Sequence, residues 1–149
     1  MTIRFPLWIS AIGGLLGVQL VLGIWLNLYG TYPATDNVVR AVMYRGDPEL
    51  SAHLGIAVVL VVLAFVVAVS AFGAEAPPRL RWYTLGTFLA ILGAYEAGIL
   101  LIESGFSSAL DSLLMAAGFV VGVVFNVASQ IIVRRAAPGA APPTASDPA

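Results

Sequence analysis

Two side chains can do chemistry inside this otherwise apolar sequence, His53 and Glu96. His53 is the one histidine of the chain, and it opens an apolar run that continues without a charge to Phe72. Glu96 lies in the middle of another apolar stretch. An imidazole can bind haem iron or another metal, and an acidic side chain in such a stretch can carry a proton or bind a polar group. These two residues are the first candidates for a functional site.

A histidine in an apolar helix can ligate haem if a second ligand lies at the same depth on a facing helix. Met115 meets this condition in the sequence, because it stands about one turn into the fourth apolar segment from the same end as His53. Small residues follow both positions. The spacing predicts a haem b site with His53 and Met115 as iron ligands, or with His53 of a second copy in place of Met115. The alternatives are that His53 bonds Asp47 or Glu49 and that Met115 only fills space.

The residue order around His53 resembles the helix pair repeated in the haem A synthase family. The resemblance covers about the first half of the chain and rests on Gln19-x-x-Leu22-Gly23, Asn27 to Pro33, and His53-Leu54-Gly55-x-Ala57. It implies a four-helix unit in which His53 holds haem at the outer end of the second helix, with Glu49 near the place of a preceding acidic residue. The fourth helix has Met115 where the family has a second histidine, no Arg follows His53, and the outer loop lacks the cysteine pair of many members. The resemblance therefore implies a related scaffold with altered or lost haem binding.

Glu96 has two interpretations. An ionised side chain inside hydrocarbon is costly, so we expect Glu96 to be buried between helices and uncharged. It then relays protons or binds a polar substrate, or else it is a structural group bonded to Gln19, Asn27 or Tyr95. A transport pathway would need several copies, since the chain shows no internal repeat.

Composition restricts the class of protein. The 149 residues are 60% hydrophobic and 10% charged, with a mean hydropathy of +0.95, which indicates an integral membrane protein. The chain has no cysteine, which excludes disulfides, thiolate metal sites and thiol nucleophiles. A single histidine excludes a histidine metal cluster, and the sequence has no basic patch for nucleic acid. We therefore expect no catalytic residues.

Four apolar segments are long enough to cross a bilayer, which takes about 20 helical residues. They run over residues 7–29, 50–72, 82–102 and 110–133. Short connections imply antiparallel neighbours, so the prediction is an all-α, up-down-up-down four-helix membrane bundle over residues 1–135. We expect residues 36–46 to form an interfacial helix capped by Asp36. The Ala/Pro-rich tail, residues 136–149, is expected to be disordered.

The arginines predict the orientation. Five of the seven fall on one side of the predicted bundle, and only Arg40 and Arg45 fall on the other. The positive-inside rule places both termini in the cytoplasm, in a cell membrane. His53, Glu103 and Asp111 then lie at the outer face. The first apolar run is too long for a signal peptide and is expected to be a retained span.

Small and polar residues predict which helix faces meet, because they mark contacts between helices in lipid. We expect three such stripes to line the interior: Gln19, Gly23 and Asn27; Gly86, Ala90, Gly93, Glu96 and Ala97; Asp111, Met115, Gly118, Gly122 and Ser129. The polar residues inside the membrane are Gln19, Asn27, Glu96 and Asp111. The alternative to a haem protein is a non-catalytic accessory or assembly subunit without cofactor. We expect the chain to contact the lipid bilayer. We also expect it to associate with a second copy in a homodimer, or with a larger membrane complex.

Overall fold

The computed structural model describes residues 5–30, 32, 37, 40, 48–74 and 76–136. These residues form four helices, α1 (Phe5–Tyr29), α2 (Pro48–Gly73), α3 (Pro78–Glu103) and α4 (Ala109–Arg135). All four are long and apolar enough to cross a membrane, and the part of the chain so described contains no strand. The predicted all-α membrane bundle is confirmed, and the chain is a small multi-pass membrane protein.

The first residues of the helices explain why they extend beyond the apolar segments. α2 and α3 begin at Pro48 and Pro78, where a fixed φ suits the first turn and the missing N–H is not needed. α4 begins after Ser108, whose side chain accepts a hydrogen bond of 3.2 Å from the backbone N–H of Asp111. This is an N-cap, a signal that counting apolar residues does not include. Asp111 thus lies in the first turn of α4.

The four helices pack in a ring in chain order. α1 packs against α2 and α4, and α3 packs against α2 and α4, whereas within the described ranges the diagonal pairs do not pack. One end of the ring, which we call the arginine end, carries Arg79, Arg134 and Arg135 on its surface. The opposite end, which we call the histidine end, carries His53 and Glu103. The ring closes between the first helix and the last.

Glycines bring α3 and α4 into close contact. A Cβ atom on Gly118 would lie 3.0 Å from the carbonyl oxygen of Ala90 and 3.1 Å from the Cβ atom of Ala94. A Cβ atom on Gly98 would lie 3.6 Å from the Sδ atom of Met115. In lipid no hydrophobic force drives helices together, so they associate through close packing of their backbones at small residues. Met115, Gly118 and Gly122 of the predicted α4 stripe therefore face α3.

The turn between α3 and α4 lies at the histidine end and is stabilised by backbone hydrogen bonds. The Phe106 N–H donates to the Leu101 carbonyl at 2.8 Å, and the Gly105 N–H donates to the Ile102 carbonyl at 2.9 Å, which together form a Schellman motif. Gly105 and Phe106 both have positive φ, 65° and 62°. That conformation is uncommon for a bulky residue, and here the Phe106 ring stacks on Tyr32 with ring centroids 4.6 Å apart.

Two predicted segments fall outside the described residues. Of the interfacial helix predicted over 36–46, the structure describes only Asn37 and Arg40, and the Arg40 N–H donates to Asn37 Oδ1 at 3.1 Å. Of the tail predicted to be disordered, it describes only Ala136.

Candidate functional site

His53 lies in the second turn of α2 and contacts α1. The Gln19 side chain donates from Nε2 to the His53 carbonyl oxygen at 3.0 Å. Gly23 lies one turn further along α1, and a Cβ atom there would be 3.5 Å from His53 Cε1. Gln19 and Gly23 thus face the interior as the sequence predicted. The imidazole therefore packs against α1 at Gly23.

Two polar atoms of this contact are buried without a hydrogen-bond partner in the described ranges, Gln19 Oε1 and His53 Nδ1. Buried polar atoms usually have partners, because leaving one unpaired costs roughly 1–3 kcal/mol. No hydrogen bond between described residues joins the His53 ring to Glu49, and Asp47 lies outside the described residues. Within the described ranges the imidazole is therefore positioned through its backbone and by α1.

The structure does not bring Met115 to His53. His53 on α2 contacts α1, while Met115 on α4 lies against Gly98 of α3. α2 and α4 are diagonal in the ring and do not pack against each other along their described lengths. The contacts of His53 and Met115 are therefore with different neighbouring helices, α1 and α3. The prediction that His53 binds haem rests on the sequence alone.

A narrow internal void lies in the half of the bundle nearer the arginine end, away from His53. It is too small for a water molecule. The hydroxyl groups of Thr84, Thr87 and Ser129 beside it each donate to a carbonyl of their own helix. These polar side chains are satisfied locally, so the void is a packing feature and not a polar pathway.

A polar contact that sequence reasoning missed joins α4 to α1. With its amide oriented to satisfy its neighbours, Asn126 donates to the Ile9 carbonyl at 3.2 Å and accepts from Gln130 Nε2 at 3.1 Å. It also accepts from the Gly13 N–H at 3.3 Å. The signal was available in the sequence, since two amides four residues apart share a helix face. This contact is structural, because it closes the ring of helices.

Glu96 lies on the outside of the bundle, and the prediction that it is buried is wrong. The buried line of α3 includes Leu80, Thr84 and Ile91, and successive helical residues point about 100° apart. This rotation turns Glu96 nearly opposite the buried line. Gly93 is exposed for the same reason, and Asn27 is exposed at the end of α1. The predicted interior stripes of α1 and α3 therefore each lose members to the lipid side.

Glu96 belongs to a continuous exposed surface that we call the α3 outer face. The face consists of Trp82, Leu89, Gly93, Glu96 and Leu100. Glu96 makes neither a hydrogen bond nor an ion pair with any described residue. The α3 outer face thus combines apolar side chains with one acidic side chain that has no partner among the described residues.

The two candidate features are separate, since His53 is turned toward α1 and Glu96 points away from the bundle. Among the described residues no three His, Asp or Glu side chains lie together as a metal site would require. Comparison with known proteins gives no match to a family model, to a curated protein or to a solved structure.

Proposed function

We propose that this chain is a non-catalytic accessory or assembly subunit that binds a partner inside the membrane through the α3 outer face. The observation that supports this function is the exposed, unpartnered side chain of Glu96. Polar residues within membrane spans almost always face a bundle interior or a water-filled cavity. Glu96 does neither in the isolated chain, which is the arrangement expected of a surface that another helix covers.

The position of Glu96 along α3 gives its depth in the membrane. Glu96 is seven residues before the last residue of α3, Glu103, which corresponds to about 10 Å along the helix axis. α3 has 26 residues, so it is about 39 Å long and exceeds a hydrocarbon core of about 30 Å by only a few ångströms at each end. The Glu96 side chain therefore lies within the hydrocarbon, where neither water nor lipid tails satisfy its hydrogen bonds.

Among the described residues no basic side chain pairs with Glu96. The arginines of α1 to α4 are Arg79, Arg81, Arg134 and Arg135, and all four lie at the arginine end. Arg40, in the connection between α1 and α2, makes no ion pair with a described residue. Glu96 is nearer the histidine end. A partner that supplied a hydrogen bond at this depth would remove an unfavourable contact with lipid, which gives binding at this face a physical driving force.

The test is site-specific photo-crosslinking in the native membrane. A photoreactive amino acid replaces Leu100 on the α3 outer face, and as a control it replaces Leu113, which is exposed on α4 at a similar distance from the histidine end. We expect a protein adduct from the Leu100 position only. The adduct should be lost when Glu96→Leu is added and kept when Glu96→Gln is added, because an amide still donates and accepts hydrogen bonds. Lipid adducts alone, or equal protein adducts at both positions, would contradict the proposal.

We also propose that the protein lies in the cell membrane with both termini in the cytoplasm. The surface arginines at the arginine end support this orientation under the positive-inside rule. His53 and Glu103 would then lie near the outer surface.

A further inference from the structure

We infer that the partner at the α3 outer face is a second copy of this chain, in a symmetric pair whose axis runs along the membrane normal. The inference rests on the proposed function, because it names the occupant of the same surface. Two features support it. The hydrogen bonds of Glu96 can be made by Glu96 of a second copy, and the exposed residues around Glu96 have the spacing found where two helices pack.

Two Glu96 side chains can satisfy each other's hydrogen bonds across a dimer contact. A two-fold axis along the membrane normal places each residue at the same depth as its counterpart, so Glu96 faces Glu96 of the second copy. A protonated carboxyl has one O–H donor and a carbonyl acceptor. Two such groups can each donate to the other, which satisfies both without any basic residue. This matters because the described helices of a second copy offer no arginine at that depth.

The exposed residues of α3 around Glu96 have the spacing of a contact between two helices. Leu89, Gly93, Glu96 and Leu100 follow one another at intervals of four, three and four residues. This is the spacing of the seam between two helices that cross at about 20°. Trp82, seven residues before Leu89, continues the seam toward the arginine end and is 65% exposed.

Gly93 gives this seam its point of close approach. It is exposed, and a Cβ atom on it would contact nothing within 4 Å. The backbone of α3 is therefore open to a neighbouring helix one turn from the Glu96 side chain. In membranes a small residue beside a polar one is the combination that allows both backbone packing and an interhelical hydrogen bond.

A competing surface exists on α1, where Ser10, Gly14 and Gly17 are exposed. Cβ atoms on Gly14 and Gly17 would also meet open space. This surface has small residues but no carboxyl that needs a partner. It is therefore the comparison site in the experiment below.

The natural chain has no cysteine, so single cysteines can be introduced without other changes. Three full-length variants are compared in membranes after mild oxidation: Gly93→Cys on α3, Val120→Cys on the exposed side of α4 at similar depth, and Gly14→Cys on α1. We expect a disulfide-linked dimer from Gly93→Cys only. No dimer from Gly93→Cys, or as much dimer from Val120→Cys or Gly14→Cys, would overturn the inference.

A second measurement tests the role of Glu96 without oxidation. Energy transfer between labelled chains in vesicles gives the association constant of the wild type, Glu96→Gln and Glu96→Leu. The glutamine variant should associate like the wild type, and the leucine variant should associate about tenfold more weakly, the size of one or two interhelical hydrogen bonds in lipid. Equal association of the wild type and Glu96→Leu would overturn the inference.

The failure of this inference can be told apart from failure of the proposed function. If the photoreactive residue at Leu100 forms an adduct with a different protein and none of twice the mass of the chain, the proposed function stands and the second copy is excluded. If Leu100 gives no protein adduct at all, both are excluded.

Discussion

His53 and Glu96 lie at comparable distances from the histidine end, yet their surroundings differ. His53 is held by a hydrogen bond from Gln19 to its carbonyl group, and its ring lies against Gly23. Glu96 has no contact of this kind and points outward. The two residues therefore call for different experiments.

If the chain binds haem b, His53 is one iron ligand, because it is the only imidazole. His53→Ala should then abolish the Soret band of protein expressed with ample haem. Met115→Leu should keep the haem but shift its spectrum and lower its reduction potential, since a thioether ligand raises the potential relative to imidazole. The measurement is the absorbance spectrum of the purified protein with a potentiometric titration.

Two outcomes of the haem experiment would decide against parts of this prediction. An unchanged spectrum in Met115→Leu would eliminate Met115 as a ligand and favour His53 of a second copy. A colourless wild-type protein would eliminate haem binding.

At the scale of helices, the close contact of α3 and α4 at Gly118 predicts a large effect of a single methyl group. In Gly118→Ala the new Cβ atom would meet backbone atoms of Ala90 and Ala94 at 3.0 Å, and backbone cannot move aside as a side chain can. We expect unfolding to become easier by about 1–3 kcal/mol. Reversible unfolding in mixed detergent micelles measures this difference in free energy.

The matched control for that prediction is Gly55→Ala on α2. Gly55 is exposed, and a Cβ atom there would contact nothing within 4 Å. The control should be neutral or slightly stabilising, because alanine has the higher helix propensity. Equal destabilisation by both substitutions would show that the contact between α3 and α4 is looser than the structure places it.

The packing of helices shows what the sequence could and could not predict. Length and hydropathy predicted four membrane helices, and small residues predicted that Gly118 and Gly122 face α3. The rotation of α3 was predicted less well. Gly86 and Ala90 pack toward α4. The sequence does not determine at which residue around the helix the contact with α4 ends and the lipid-facing side begins. Glu96 lies beyond that boundary, so its neighbour Ala97 is buried while Glu96 is exposed.

Polar contacts between helices far apart in sequence were the hardest to predict. Asn126 contacts Gly13 and Ile9 across more than one hundred residues of chain. Helical spacing shows that Asn126 and Gln130 share a face, but it cannot identify the helix that this face meets. The same limit applies to Gln19, whose partner is a backbone carbonyl that no side-chain pattern reveals.

At the scale of the whole molecule, the orientation in the membrane can be tested by labelling introduced cysteines. Thr35→Cys lies in the connection between α1 and α2, and Ser146→Cys lies in the C-terminal tail. With both termini in the cytoplasm, a membrane-impermeant reagent added outside intact cells should label the first and not the second. Labelling of both from the same side would contradict the up-down-up-down topology, and the reverse pattern would contradict the orientation.

The hydrogen bonds of Asn126 with α1 have a consequence for biosynthesis. A ribosome makes α1 first and α4 last, so the Asn126 contact with Gly13 and Ile9 cannot form until nearly the entire chain has been translated. Until then α1 has only its contact with α2, which includes the bond from Gln19 to His53. Before α4 is inserted, the nascent protein therefore has three helices in the bilayer and the ring is still open. A ribosome that stalled before Ala109 would leave α1 and α3 both exposed to whichever membrane protein is inserted nearby.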